Sequence, residues 1–421
     1  MSVYFQDTLL IVGNGFDLTC GLRSRYIDFF NSCIRNYNHK SGIYSNYNAN
    51  DEKHDFWQGL LYHKKWNSDD SNDYLWCDVE LLIQNTLKII FHDGNGSKEP
   101  LYKEVWTFVK NGVLQKKYLK NSEEEYIANY LTIFLHSQRL GGRKDIEDYE
   151  IANLIARFLL VHLKNLESFF CEFLNKQLVN PNTLEKHPTY GHQAAFLLHK
   201  LLLGIDIDVR NEEKTIRLLE SVPDYNHLSN VAILSFNYTN PLDYVPLNLE
   251  CTIANVHGKL CNEICQDCKK SSVIFGVDDK NVNQDQESIG ANINRNNLRI
   301  FSKTYRLLQT GENIRNAIPL KNNLQKIKFF GHSLSDADYS YFQSIFDYYN
   351  IYDNPKLQLE FYYTEYDKQN IGRVKEYTSD AVYGLINEYG KTLPNKAHGK
   401  NLMHKLLLEK RISIAELTDL G

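Results

Sequence analysis

Near its start the chain runs from a short apolar stretch, Thr8 to Val12, straight into Gly13-Asn14-Gly15. A helical period follows, with Tyr26, Phe29, Phe30, Cys33 and Ile34 recurring at steps of three and four. Strand, glycine turn and helix in immediate succession form the opening unit of an α/β fold. A loop of this kind also lets backbone approach a phosphate at a helix N-terminus.

Comparable strand runs return only late, at Val231–Phe236, Thr252–Val256, Ser272–Phe275, Gln325–Phe330 and Leu357–Tyr363. VAILSF and KIKFFG are nearly continuous apolar runs, the habit of strands buried on both faces of a parallel sheet. Between Ile34 and Asn230 the chain reads as helical. One helix follows Trp76 to Ile83, and a third spans Gly191 to Leu203. Another spans Ile151 to Leu178, where Leu154, Phe158, Leu159, His162, Leu166, Phe169 and Phe173 recur at helical steps. Asn38–Asp51, Trp66–Asp73 and His92–Glu99 read as loops. The expected fold class is α/β, a Rossmann-like parallel sheet with a large helical insertion. Residues 1–36 and 231–421 would form the nucleotide-binding domain, and 37–230 the insertion.

A hydrophobic fraction of 43% against 24% charged residues places the chain among packed globular proteins. The net charge of -5 argues against a protein whose main task is coating nucleic acid. No stretch approaches the roughly 18 apolar residues of a membrane span. The N-terminus lacks the basic start of a signal peptide, so a cytoplasmic protein with no membrane partner is expected. Its eight cysteines should then be reduced.

Chemistry-bearing residues cluster at the ends of the strand runs. The GNGFD segment, Gly13 to Asp17, has neither the G-x-G-x-x-G spacing, Leu18 standing at the third glycine, nor the Lys-Ser/Thr of a P-loop. A tight strand-to-helix turn without a ligand would equally account for it. SFNYT sets Asn237 just beyond a strand, where ligands bind in open α/β sheets, although asparagine also closes turns. In VHG, His257 follows the next strand and is the natural proton acceptor of the group, although a lone histidine is more often structural. In GHSLSDAD, Gly331, His332 and Ser333 follow a strand and are placed to line an adenosine pocket. Asp336 and Asp338 are accounted for as acids in a first helical turn. Asp78 and Glu80, beside Trp76, read as solvated or capping residues.

GNGFDLTCGL, W-x-D-x-E at Trp76 to Glu80, SFNYT, VHG, IFGVDD at Ile274 to Asp279, FSKTY at Phe301 to Tyr305 and GHSLSDAD occur here in an order that resembles the AbiH-type abortive-infection proteins of bacteria. That family is itself similar to the sirtuin-like superfamily. The resemblance implies NAD as substrate or ligand, with Gly13, Asn14 and Gly15 as the glycine loop and Asn237 on the ribose side. It makes His257 the general base and gives Gly331 and Ser333 adenosine contacts; Asp17 is a further cofactor-binding match. Asn14 stands where the sirtuin loop has alanine, and Thr239 where it has aspartate. Sirtuin deacylases carry a four-cysteine zinc site after this histidine. Only Cys261, Cys265 and Cys268 follow it here, so zinc is not expected.

The implied function is an anti-phage effector that hydrolyses the nicotinamide–ribose bond of NAD, with Asn237 and His257 as catalytic residues. The alternative is a defence subunit that senses a nucleotide or binds a partner without turnover. A phage trigger or host protein partner, and self-association, are compatible with either.

Overall fold

A computed structural model of the chain describes residues 7–38, 55–67, 79–91, 99–112, 122–140, 143, 145–178, 188–204, 231–243, 251–260, 273–277, 297–310, 324–335, 338–365 and 370–417. The chain forms two compact units. One comprises Met1–Ser24, Asn175–Ser272 and Gly311–Gly421, and the other Arg25–Leu174 and Val273–Thr310.

The first unit holds a six-stranded sheet in which every pairing is parallel. Its strands are β1 (Thr8–Val12), β2 (Val231–Ser235), β3 (Thr252–Asn255), β4 (Lys326–Phe330), β5 (Gln358–Tyr363) and β6 (Ile412–Glu416). Their spatial order is β3-β2-β1-β4-β5-β6, that of a doubly wound Rossmann sheet. The winding reverses between β1 and β4, and the crevice at the carboxyl ends of strands beside such a reversal is where ligands bind in this architecture.

Register explains the core. Leu9 pairs with Ala232 and Ile327, Ile327 with Leu359, and Leu359 with Ile412, so one apolar row crosses nearly the whole sheet. Leu234, Ile11, Phe329 and Phe361 form the next row, in which Phe329 and Phe361 stack at 4.4 Å between centroids. Both rows belong to one buried cluster with Phe342, Phe346, Ile386 and Leu402. Each such side chain contributes about 1.5–3 kcal/mol on burial. On the opposite face the side chain of Lys328 is buried and donates to the carbonyl of Leu201 at 2.6 Å.

β6 is not picked out by apolar continuity, because ISIAE alternates and is buried mainly through Ile412. It occupies the sheet edge after a turn at Lys410, whose φ is +53°.

Between β1 and β2 the chain supplies α1 (Asn14–Thr19), α2 (Tyr26–Asn38), α3 (Phe56–Asn67), α4 (Val79–Phe91), α5 (Leu101–Asn111), α6 (Ser122–Ser137), α7 (Asp148–Leu178) and α8 (Pro188–Leu203). Pro188 suits the first turn of α8, and Gly204, at φ +67°, ends it in the left-handed conformation. α7 buries Ile151, Ile155, Leu159, Leu163, Leu166, Phe170 and Leu174, whereas Phe169 is exposed. The expected stripe is therefore rotated from the real one, because a helix this rich in Leu and Phe carries more than one apolar stripe.

The expected strand at Ser272–Phe275 does not form within the described residues. Val273 to Gly276 is irregular, and the Phe275 N–H donates to Glu167 at 2.7 Å while its carbonyl accepts from Arg306 at 2.6 Å. Side chains have taken the bonds a ladder would have used, leaving an isolated bridge between Val277 and Ser302. Trp66 and Asn67 belong to α3 rather than to a loop. Residues 39–51, 68–73 and 92–98 of the expected loops lie outside the described residues, as do Trp76, Cys77, Asp78, Asp278, Asp279 and Asp336. Among the described residues no helix is long and apolar enough to cross a membrane. The later helices are α9 (Lys303–Thr310), α10 (Tyr339–Tyr348), α11 (Arg373–Thr392) and α12 (Lys396–Leu408).

Candidate functional site

β1 ends at Val12, and the chain enters α1 through Gly13 without a side-chain cap. The N–H of Gly13 donates to Phe330 O at 3.0 Å, and that of Gly15 to Gly331 O at 2.8 Å. The glycine loop is thus stitched to the end of β4. A Cβ on Gly13 would lie 2.5 Å from His332 Cα, and one on Gly15 2.6 Å from Gly331 Cα. Close passage of these backbones across the winding reversal is itself the reason for glycine here. Asn14 is exposed, and its Oδ1 accepts from Ser24.

Asn237 sits past the end of β2, where its N–H donates to Ser235 Oγ at 3.2 Å and turns the chain. Asn255, at the end of β3, holds this turn by donating to the carbonyls of Asn237 and Thr239, each at 2.8 Å. The Asn237 side chain is buried and its Nδ2 donates to Gly13 O at 3.0 Å. That bond orients the amide. Its Oδ1 is also buried and has no hydrogen-bond partner among the described residues.

In the first turn of α1, Asp17 accepts hydrogen bonds from Tyr190 and Thr239, each at 2.7 Å. Burial raises the Asp17 pKa from 3.8 to about 6, against the lowering effect of these two hydroxyls. The Tyr190 hydroxyl is pushed well above its ordinary pKa by burial and by the Asp17 charge.

His257 follows β3, and Gly258, at φ +93°, turns the chain away after it. His257 Nε2 lies 2.9 Å from Asp338 Oδ1, and His332 Nε2 lies 3.3 Å from Asp338 Oδ2. Phe236 packs against both rings, at 5.5 Å from His257 and 4.4 Å from His332, and Tyr341 closes on His257 at 5.8 Å. Asp338 does stand at the N-cap of α10, but its side chain makes no capping bond. Asp338, expected as an acid of the first helical turn, stands instead just before it with its carboxylate facing the two histidines. Glu80, in the first turn of α4, is not simply solvated: it pairs with the buried Lys303 of the FSKTY segment.

Gly13, Gly15, Asp17, Asn237, His257 and Gly331 are thus joined, through Asp338, His332 and Phe236, at the carboxyl ends of β1 to β4. Ser333 is exposed beyond Gly331. Sequence reasoning missed the roles of Asp338, Tyr190 and Asn255. The spacing of His332 and Asp338 within GHSLSDAD was the only local hint of one of them.

The model of the family described as Bacteriophage abortive infection AbiH matches residues 9–363. The chain belongs to that family. The match takes in GNGFD, SFNYT, VHG and GHSLSDAD, and ends with β5, so α11, α12 and β6 lie beyond it. Membership implies a role in phage abortive infection. No curated protein matches this AbiH-family chain. Cys261, Cys265 and Cys268 lie outside the described residues, among which no group of His, Cys, Asp or Glu is placed to hold a metal ion.

Proposed function

We propose that the protein is a sirtuin-like NAD hydrolase that acts in abortive infection by cleaving the nicotinamide–ribose bond. The observation that carries this reading is the Asn237 Oδ1, a buried acceptor with no partner among the described residues, on a side chain 4% exposed. An acceptor left unmet costs about 1–3 kcal/mol, and a ribose hydroxyl or a water would supply the missing donor. The amide stands at the carboxyl end of β2, next to the winding reversal, where a nucleotide is expected in this architecture.

The chemistry asks little more of the protein. The bond between C1′ and the pyridinium nitrogen breaks, and its electron pair neutralises the nicotinamide as it leaves. Water adds to C1′, and its proton passes to His257. Asn237 would hold the ribose or the water in line. Gly331 and Ser333 would face the adenosine, and Gly13, Asn14 and Gly15 the phosphates. The Gly13 and Gly15 N–H groups are already bonded to Phe330 and Gly331, so Asn14 is the loop residue with most to offer a phosphate.

The full-length protein incubated with NAD should release nicotinamide, measured chromatographically, and His257→Ala should abolish the release. Undiminished release by that variant would refute the assignment. One observation favours the second reading, binding without turnover. Thr239, where the sirtuin pattern has an acid, commits its hydroxyl to Asp17 at 2.7 Å. Calorimetric NAD binding with no nicotinamide release would favour that reading.

A further inference from the structure

The Asp338 carboxylate joins two histidines from distant parts of the chain, and the bonds around it fix which nitrogen of each ring bears a proton. His332 is settled first. Its Nδ1 accepts the N–H of Leu334 at 2.8 Å, so that nitrogen holds a lone pair and the ring proton sits on Nε2. That nitrogen is the one 3.3 Å from Asp338 Oδ2. The turn that delivers the Leu334 N–H places Leu334 at φ +57°, a left-handed conformation costly for leucine. The side chains of His257, His332 and Asp338 are all largely buried, and Phe236, Tyr341 and Phe342 pack against the two rings. Neither imidazole is therefore open to casual rotation.

We infer that Asp338, anchored by His332, is a positioning residue that holds His257 as the Nε2–H tautomer, making Nδ1 the nitrogen that takes up a proton. An anionic carboxylate only accepts, so the nitrogen facing it at 2.9 Å must donate. The second half of the inference rests on the proposed reading of His257 as base. The first half stands without it.

Asp338→Asn separates this role from mere packing. An asparagine has one acceptor oxygen, whereas the site presents donors from two histidines. His332 cannot change tautomer without losing Leu334, so it keeps the oxygen. The amide Nδ2 then faces His257 Nε2 and forces the proton onto Nδ1, the nitrogen needed as base. Loss of the correct tautomer at an otherwise intact His–Asp pair lowers kcat by roughly 10⁴-fold in serine proteases, and a fall of about 10³- to 10⁴-fold with little change in KM is expected here.

The experiment is long-range ¹⁵N–¹H NMR of the full-length chain labelled in histidine, with the His257 signals identified by their loss in His257→Gln. Wild type should show His257 as Nε2–H, and Asp338→Asn should show Nδ1–H together with the loss of kcat for nicotinamide release. A wild-type spectrum with the proton on Nδ1 overturns the inference even if the variant does not fold. So does an unchanged tautomer in a folded Asp338→Asn. If the tautomer switches but wild type releases no nicotinamide, the proposed hydrolase reading fails and the positioning role stands.

Discussion

Replacing Asp17 by asparagine removes a carboxyl group that is 2% exposed and whose pKa is raised from 3.8 to about 6. In the unfolded chain the group ionises near its ordinary value, so between these two pH values the native state binds more protons than the unfolded one. Stability contributed by Asp17 is therefore fully present below pH 3.8 and is lost as pH rises through about 6. A rise of this size corresponds to about 3 kcal/mol, at about 1.4 kcal/mol per pH unit. Asparagine is isosteric and does not titrate. Its amide can accept from one of the Tyr190 and Thr239 hydroxyls and donate to the other, which turns to accept. Urea denaturation of wild type and Asp17→Asn at a series of pH values isolates the effect. The two proteins should be about equally stable near pH 4, and wild type should fall behind by about 3 kcal/mol by pH 7. A stability difference that stays constant from pH 4 to pH 7 would refute the reasoning, since the buried carboxyl would then titrate as it does in the unfolded chain.

Gly331→Ala should destabilise by about 2–5 kcal/mol, because it adds left-handed strain at φ +69° to a clash with the backbone of Gly15 and Phe16. Gly21→Ala has the strain alone, with nothing near its Cβ, and should cost only about 1–2 kcal/mol; equal losses in denaturant melts would contradict the packing argument. In the other unit, Glu167 takes bonds from Arg306 and the Phe275 N–H, and burial raises its pKa. Glu167→Gln should lower stability by about 3–5 kcal/mol by leaving the Arg306 charge buried and uncompensated. A loss below about 1 kcal/mol, the range of an exposed pair, would show the pair to be solvated.

The sheet was legible because burial on both faces leaves a trace in each strand separately. VAILS is apolar at nearly every step, as a strand covered on two sides must be, and in KIKFF the apolar Ile327, Phe329 and Phe330 are buried together with Lys328. An edge strand such as β6 is covered less and left no such run. The segment at Val273 carries the same apolar signal as a strand, yet its backbone is bonded by Glu167 and Arg306. Composition cannot tell which partner a backbone group will find. For α7, period established the helix but not the buried face, which depends on what packs against it.

By itself the sequence determined the alternation of strand, glycine turn and helix, the likeness to a phage-defence family, and the positions of Asn237 and His257 at strand ends. Each of these is a property of neighbouring residues and the backbone geometry they allow. The tertiary structure decided what those residues do to one another. Asp338 reaches His257 across 81 positions of chain and Thr239 reaches Asp17 across 222, and the Gly331 turn fills the space beside Gly15. Hydrogen-bond partners so far apart are chosen by the winding of the sheet, which brings the carboxyl ends of β1 to β4 together, and no local pattern carries that information.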